Sequence, residues 1–205
     1  MPFPKTVRVH ELADYFYCCE RSRLVACDGL CNPKTEGLKI HEWLNDRPRT
    51  TRELKLSESL KPYEPFTRVF DGVQILAHPD DLTVLDKVQI IEYKTVDKSN
   101  LKPWKSLLHK YQVQLYAWVL EPILKEIGYN IAHYHTVVYL KRNGLFIRKV
   151  SVEHDPFCTE RLISQVFSFW EIGQPLIKPM KWKCQECSPV FKSHCRLEGG
   201  SHGQV

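Results

Sequence analysis

The segment Val88-Gln89-Ile90-Ile91-Glu92-Tyr93-Lys94 constrains this chain most. Its apolar residues read as a strand, and the strand ends in a carboxylate and an ammonium one residue apart. Side chains alternate along a strand, so Glu92 and Lys94 share a face. An unpaired charge at the end of a buried strand is costly, so the two demand partners. Asp80 sits twelve positions before Glu92 at the mouth of a neighbouring strand, so three polar groups can converge. The competing reading is a solvent-facing edge strand, since a bare Glu-x-Lys occurs by chance about once in a chain of this length.

Two carboxylates on neighbouring strands can hold Mg²⁺ through hard oxygen ligands, leaving positions for water and a phosphate oxygen. A lysine alongside can orient that water or offset developing negative charge. This is the chemistry of phosphodiester hydrolysis. Asp81 competes with Asp80, because Pro79 can bend the strand and let either carboxylate face inward.

The rest of the chain supplies a frame. Leu12, Ala13, Phe16, Tyr17 and Leu24 recur near helical spacing over Val9 to Leu24, and Leu38, Ile40, Trp43 and Leu44 suggest a short second helix. After the Pro62 to Pro65 stretch come strands at Phe66 to Phe70, Val73 to Ala77, Leu82 to Leu85 and Val88 to Tyr93. Asp71-Gly72 and Asp86-Lys87 mark turns of an antiparallel meander. Trp104 to Ile127 reads as a long helix, with Pro122 predicting a kink or break near Glu121. A hairpin follows, Ala132 to Leu140 and Leu145 to Val152 about Arg142-Asn143-Gly144, and then a helix over Asp155 to Ile172. Helices, meander, long helix and hairpin together indicate an α/β fold, a mixed β-sheet flanked by helices. Gly199 to Gly203 reads as a loose tail.

The 205 residues fit one domain, 1–205, and 43% hydrophobic content with a quarter charged excludes disorder. No apolar run reaches the roughly 20 residues of a membrane span, and the opening Met1-Pro2-Phe3-Pro4-Lys5 lacks a secretory signal, so a soluble cytoplasmic protein is expected. Eight cysteines are too sparse for a disulfide scaffold and suit metal ligands or buried fillers.

Pro79-Asp80 together with Ile91-Glu92-Tyr93-Lys94-Thr95 resembles the PD-(D/E)xK motif of the restriction-endonuclease-like superfamily in its RecB-type form. Upstream, Gly37-Leu38-Lys39-Ile40-His41 is similar to the Gly-x-x-x-His helix of RecB-like nucleases, whose histidine is a further metal ligand. Downstream, Gln112 to Tyr116 is similar to their Gln-x-x-x-Tyr helix. Taken singly, His41, Gln112 and Tyr116 could equally be ordinary helix-face residues; their order along the chain is what carries the likeness. Asp80 precedes Asp81-Leu82 as the family aspartate precedes its own x-Leu.

Three thiols, Cys184, Cys187 and Cys195, fall within twelve positions, and a Cys-x-x-Cys turn lets both its sulfurs reach one metal. A fourth ligand must come from elsewhere, from Cys18 or Cys19. Tyr15-Phe16-Tyr17-Cys18-Cys19-Glu20-Arg21 resembles the Tyr-x-x-Cys-Pro-Arg signature of the iron-sulfur subset of RecB-like nucleases. Cys19 is the better match because Arg21 then takes the signature arginine's place, although Glu20 stands where proline is usual. A 4Fe-4S cluster is favoured over 2Fe-2S or zinc, in a lobe formed by about 10–35 and 174–198. Closing a loop of about 165 residues is entropically expensive without a strong link, so a structural role suits it. Cys27, Cys31 and Cys158 read as structural.

The likeness runs from Cys19 to Cys195 and is nearest to the small CRISPR-associated RecB-like nucleases, the Cas-four family. It implies a Mg²⁺- or Mn²⁺-dependent DNA exonuclease or endonuclease acting chiefly on single strands, with an integrase partner in spacer acquisition, and it leaves room for a homo-oligomer. It also implies roles: Asp80, Glu92 and His41 on the metal, Lys94 on the attacking water, Gln112 and Tyr116 steadying site and strand. The alternative is a catalytically silent DNA-binding or assembly module. The net charge of +5 is grouped around Arg47 to Lys55, Lys98 to Lys110, Lys141 to Lys149 and Lys178 to Lys192, and Trp104, Tyr111 and Trp182 are interleaved where bases could stack.

Overall fold

The computed structural model describes residues 3–30, 48–96, 103–141, 143–173, 184, 187 and 189–195, without the side chains of 103–106. His41, Cys31, the helix expected over Leu38 to Leu44 and the glycine-rich tail lie outside them.

Two mixed sheets are flanked by helices. One has the order β1-β3-β2, from β1 (Thr6–Arg8), β2 (Phe66–Phe70) and β3 (Val73–Ala77). The other has the order β4-β5-β6-β7, from β4 (Asp81–Val84), β5 (Val88–Thr95), β6 (Tyr134–Leu140) and β7 (Phe146–Glu153). The meander expected from sequence is therefore divided. The β2–β3 and β4–β5 pairs are antiparallel hairpins as read, but β3 takes β1 as its other neighbour, in parallel. Pro79 lies in the connection between β3 and β4, and a residue without an N–H cannot extend the ladder there. In the β2–β3 turn Asp71 and Gly72 both adopt positive φ, 47° and 77°, the geometry that two-residue hairpins require.

The opening helical stretch is interrupted. Helix α1 (Val9–Ala13) gives way to a single 3₁₀ turn at Asp14–Phe16, and α2 (Cys19–Asp28) restarts after Cys18, whose backbone is extended. Helix α3 (Thr51–Leu60) was not read from sequence. Its start is a capping box: Thr50 Oγ1 accepts from Glu53 N–H at 3.2 Å, and Glu53 Oε2 accepts from Thr50 N–H at 2.8 Å.

Helix α4 (Pro103–Glu126) links β5 to its parallel neighbour β6 and touches strands of both sheets as well as α1 and α5 (Pro156–Ile172). Val113 and every residue from Leu115 to Leu120 are buried, the signature of a helix covered on all sides. The break expected at Pro122 is absent. Proline removes the N–H that would reach Trp118 O, and Arg68 Nη1 on β2 donates to that carbonyl instead, at 2.7 Å. The same guanidinium lies 3.8 Å from the centroid of the Trp118 ring. A short helix, α6 (Pro189–Lys192), ends the described chain, with Phe191 buried.

Candidate active site

Strand β5 alternates buried and partly exposed positions, and Val88, Ile90 and Glu92 form its buried row. The edge-strand reading of Glu92 is excluded, because β5 is paired on both sides, with β4 and with β6. Glu92 is 2% exposed, and Lys94, next on the same face, keeps 23% of its side chain accessible. Lys94 Nζ donates to Glu92 Oε1 at 2.5 Å, and Gln112 Nε2 from α4 donates to the same oxygen at 2.8 Å. Gln112 Nε2 also lies 2.8 Å from the Tyr116 hydroxyl, one helical turn on.

Asp80 immediately precedes β4. The antiparallel register sets Asp81 against Ile91, which brings Asp80 to the Glu92–Tyr93 segment, where its Oδ2 accepts from Tyr93 N–H at 2.8 Å. Asp80 acts electrostatically on Glu92, Lys94 and Tyr116 together. Asp81 is bonded differently: its Oδ1 accepts from Leu82 N–H at 2.9 Å, while both aspartates border a cavity of about 130 Å³ walled by Arg49, Glu53 and Ser57 beside α3. Of the two carboxylates, Asp80 is the one that joins Glu92.

Burial pushes the Glu92 carboxyl up to about 7, Lys94 pulls it down, and Asp80, close enough to share a proton, pushes it up. Glu92 and Asp80 in turn hold the Lys94 ammonium above its ordinary range despite burial. Burial, then Glu92, raise Tyr116 well above a free phenol. One atom remains unsatisfied: Glu92 Oε2 is buried and has no hydrogen-bond partner among the described residues. Asp80, Glu92, Lys94, Gln112 and Tyr116 thus come together as the sequence reading required, and His41 lies outside the described residues.

The thiols separate Cys18 from Cys19. Cys18 is pushed up to about 11, chiefly by burial, with Cys195 and Cys187 adding to the rise. Cys187 feels Cys195 and Cys184 in turn. Cys19 is pushed up to about 12 by burial and by Cys18, and its side chain belongs to the hydrophobic core. Of the two, Cys18 is the thiol whose electrostatic neighbours include Cys187 and Cys195, and Cys19 is packed into the core. A helix can bury its first residue while the extended residue before it points elsewhere, and sequence does not show which way each faces. Among the described residues, no group of three or more His, Cys, Asp or Glu side chains is arranged to hold a metal.

The basic clusters are partly engaged in structure. Arg52 Nη1 donates to Leu85 O at 2.9 Å, and Arg148 lies 5.2 Å from the centroid of the Tyr139 ring. Tyr111, read as a base platform, stacks instead on Phe16, with centroids 3.8 Å apart and planes 8° from parallel. Missed from sequence were α3, which walls the cavity beside Asp80, Tyr139, paired with Lys94 in the β5–β6 register, and His109 against Tyr139. The Thr50-x-x-Glu53 pattern with Leu56 and Leu60 was a legible signal for α3.

No protein-family model matches the chain, and no curated protein matches it. Among solved structures, the crystal structure of SSO0001 superposes with a TM-score of 0.53 at 19% identity, over 96% of this chain and 88% of that one. The likeness shows a shared fold. No helix among the described residues is long and apolar enough to cross a membrane.

Proposed function

We propose that this chain is a divalent-cation-dependent DNA nuclease of the RecB-like, restriction-endonuclease-like kind, acting chiefly on single strands. The observation that carries the reading is Glu92 Oε2, a buried carboxylate oxygen without a partner among the described residues, set beside Asp80 and the Lys94 ammonium. Leaving such an oxygen unpaired costs about 1–3 kcal/mol or more, and a hard cation satisfies it. Asp80 and Glu92 fit Mg²⁺ or Mn²⁺ by donor chemistry, and the family likeness adds His41. When bound, the cation supplies an acidified water and a counter-charge for phosphate.

The chain's own residues do the rest. Lys94 Nζ, anchored on Glu92 Oε1, keeps protons to offer an attacking water or a phosphate oxygen. Gln112 fixes the Glu92 rotamer, and Tyr116 fixes Gln112. On the thiol side, Cys18, Cys184, Cys187 and Cys195 are the donor set we assign to a 4Fe-4S cluster, with soft sulfur ligands well suited to iron. A place among CRISPR-associated proteins, an integrase partner and self-association follow from the family likeness alone.

The test is cleavage of end-labelled single-stranded DNA with Mn²⁺ by wild type, Asp80→Ala and Lys94→Ala. Cleavage by wild type that both variants lose is expected; equal residual activity in all three removes the enzyme and leaves the silent-module reading. For the cluster, anaerobic purification should give a coloured, iron-bearing protein that Cys18→Ala bleaches and Cys19→Ala does not. A colourless protein holding zinc overturns the iron assignment.

A further inference from the structure

The sheet face that carries Lys94 has another buried polar residue. In the parallel β5–β6 register Lys94 is paired with Tyr139, so the two side chains stand next to each other on the same face. Tyr139 is 0% exposed, and its phenol must find its partners inside the protein. One is His109 on α4, whose Nδ1 lies 3.1 Å from the hydroxyl. His109 precedes Gln112 by three residues and Tyr116 by seven, which sets all three along one stripe of α4 above the site. From the far side, Arg148 on β7 approaches the Tyr139 ring. Phenylalanine would fill the same volume without the cost of burying a hydroxyl, so the hydroxyl calls for an explanation. The His109 bond answers the hydroxyl's own need, and the Lys94 ammonium paired beside it in the register gives the phenol oxygen a use.

We infer that Tyr139 and His109 are positioning residues for Lys94, the phenol oxygen holding the ammonium on the side away from Glu92 and the imidazole fixing the phenol. The inference rests on the reading that Lys94 serves a hydrolytic site. When the Tyr139 O–H donates to His109 Nδ1, the phenol oxygen turns its lone pairs towards Lys94. An ammonium on a flexible four-carbon stem, held by Glu92 alone, can swing about that single bond; a second acceptor on the opposite side fixes its remaining protons in direction. Glu92 and Asp80 supply most of the negative charge facing Lys94, and Tyr139 is the next group that acts on it.

Two measurements test this, one of them independent of DNA. Competitive acetic-anhydride labelling of the intact protein at fixed alkaline pH, read by mass spectrometry, reports how freely Lys94 leaves its anchors. Tyr139→Phe should raise labelling of Lys94 about threefold or more, with Lys110 and Lys149 unchanged as internal references. His109→Ala should do the same to a smaller degree, and His109→Gln, whose amide oxygen still accepts from the phenol, should stay near wild type. On single-stranded DNA with Mn²⁺, Tyr139→Phe should lower kcat about tenfold at unchanged KM, and adding it to Lys94→Ala should cost nothing further. Unchanged Lys94 labelling in folded Tyr139→Phe overturns the inference, as does a kcat loss that adds in full to that of Lys94→Ala. If Tyr139→Phe does not fold, unchanged labelling in His109→Ala overturns it. A wild type that cleaves no DNA would sink the nuclease reading, and the labelling result would still decide the pair.

Discussion

Helix α4 passes two polar spots, one half-exposed and one buried, and the chain finishes the first and leaves the second open. Near Pro122, Arg68 takes up the freed Trp118 carbonyl, and Arg68 Nη2 and Trp118 Nε1 both donate to Glu160 Oε1, at 3.2 and 2.9 Å. Each group there answers another, and the result is a helix that continues unbroken past a proline. One to three turns earlier, Gln112 and Lys94 converge on a single oxygen of Glu92, and the other oxygen is left without a partner among the described residues. Closed polar clusters stabilise a fold. An open one next to a second carboxylate marks where a ligand would complete the set.

The sharpest way to break this comparison is Glu92→Gln, which should act in opposite directions on cleavage and on stability. Cleavage should fall about a thousandfold or more, measured on single-stranded DNA with Mn²⁺. Stability should move the other way. The folded carboxyl, pushed up to about 7 from an ordinary 4.5, retains a proton that the unfolded chain has already released, so the metal-free fold loses stability as pH rises from about 4.5 through about 7. Glutamine has no charge to bury. Thermal melts in chelator should therefore put the variant above wild type at about pH 8, with the gap closing near pH 5. A lower melting point at the higher pH would show that the Lys94 pair outweighs the burial cost.

Gln112→Leu comes next. It leaves Glu92 Oε1 to Lys94 alone and should reduce cleavage about 10- to 100-fold while the melting temperature stays close to wild type. At the closed spot the pattern should reverse. Arg68→Met exposes no active group but orphans the Trp118 carbonyl, costing about 2 kcal/mol in urea unfolding with cleavage per folded molecule unchanged. Adding Pro122→Ala should recover part of that loss, because alanine at 122 restores an N–H to Trp118 O; simple additivity of the two changes would contradict the account of the unbroken helix.

The last effect concerns His135, which is fully buried, accepts the Ile90 N–H on its Nδ1 at 3.3 Å, and has no partner for Nε2 among the described residues. Burial, then His154 and His133, lower it to about 3, so the fold holds it neutral while the unfolded chain takes up a proton near its ordinary 6.5. Stability is therefore lost as pH falls below about 6.5 towards 3, and His135→Leu should flatten that acid slope by about 2 kcal/mol between pH 7 and 5.

Much of the site was legible because it follows from strand geometry. The Glu92-x-Lys94 spacing dictates a shared face in any strand, and Gln112 and Tyr116 at i, i+4 share a face in any helix. The Asp80–Glu92 meeting required the β4–β5 hairpin, which its turn residues announced. Less was legible where neighbours come from far along the chain. Nothing local marks β1 as the strand beside β3, and a proline inside α4 predicted a break because its remedy, Arg68, stands 54 positions earlier. Cys18 and Cys19 are adjacent thiols in sequence, and only the packing of α2 against the core turns one inward.

The amino-acid order by itself determined the mixed α/β character, the hairpins and the alignment of an acid, a base and their helical supports, because these depend on periodicities of two and 3.6 residues that the residue pattern itself carries. The tertiary structure alone decided that the strands divide between two sheets, that Asp80 and not Asp81 meets Glu92, that Cys19 packs into the core, and that one carboxylate oxygen is buried without a partner among the described residues. Those outcomes depend on which surfaces exclude water from one another, and desolvation is a property of the assembled fold that no stretch of sequence carries.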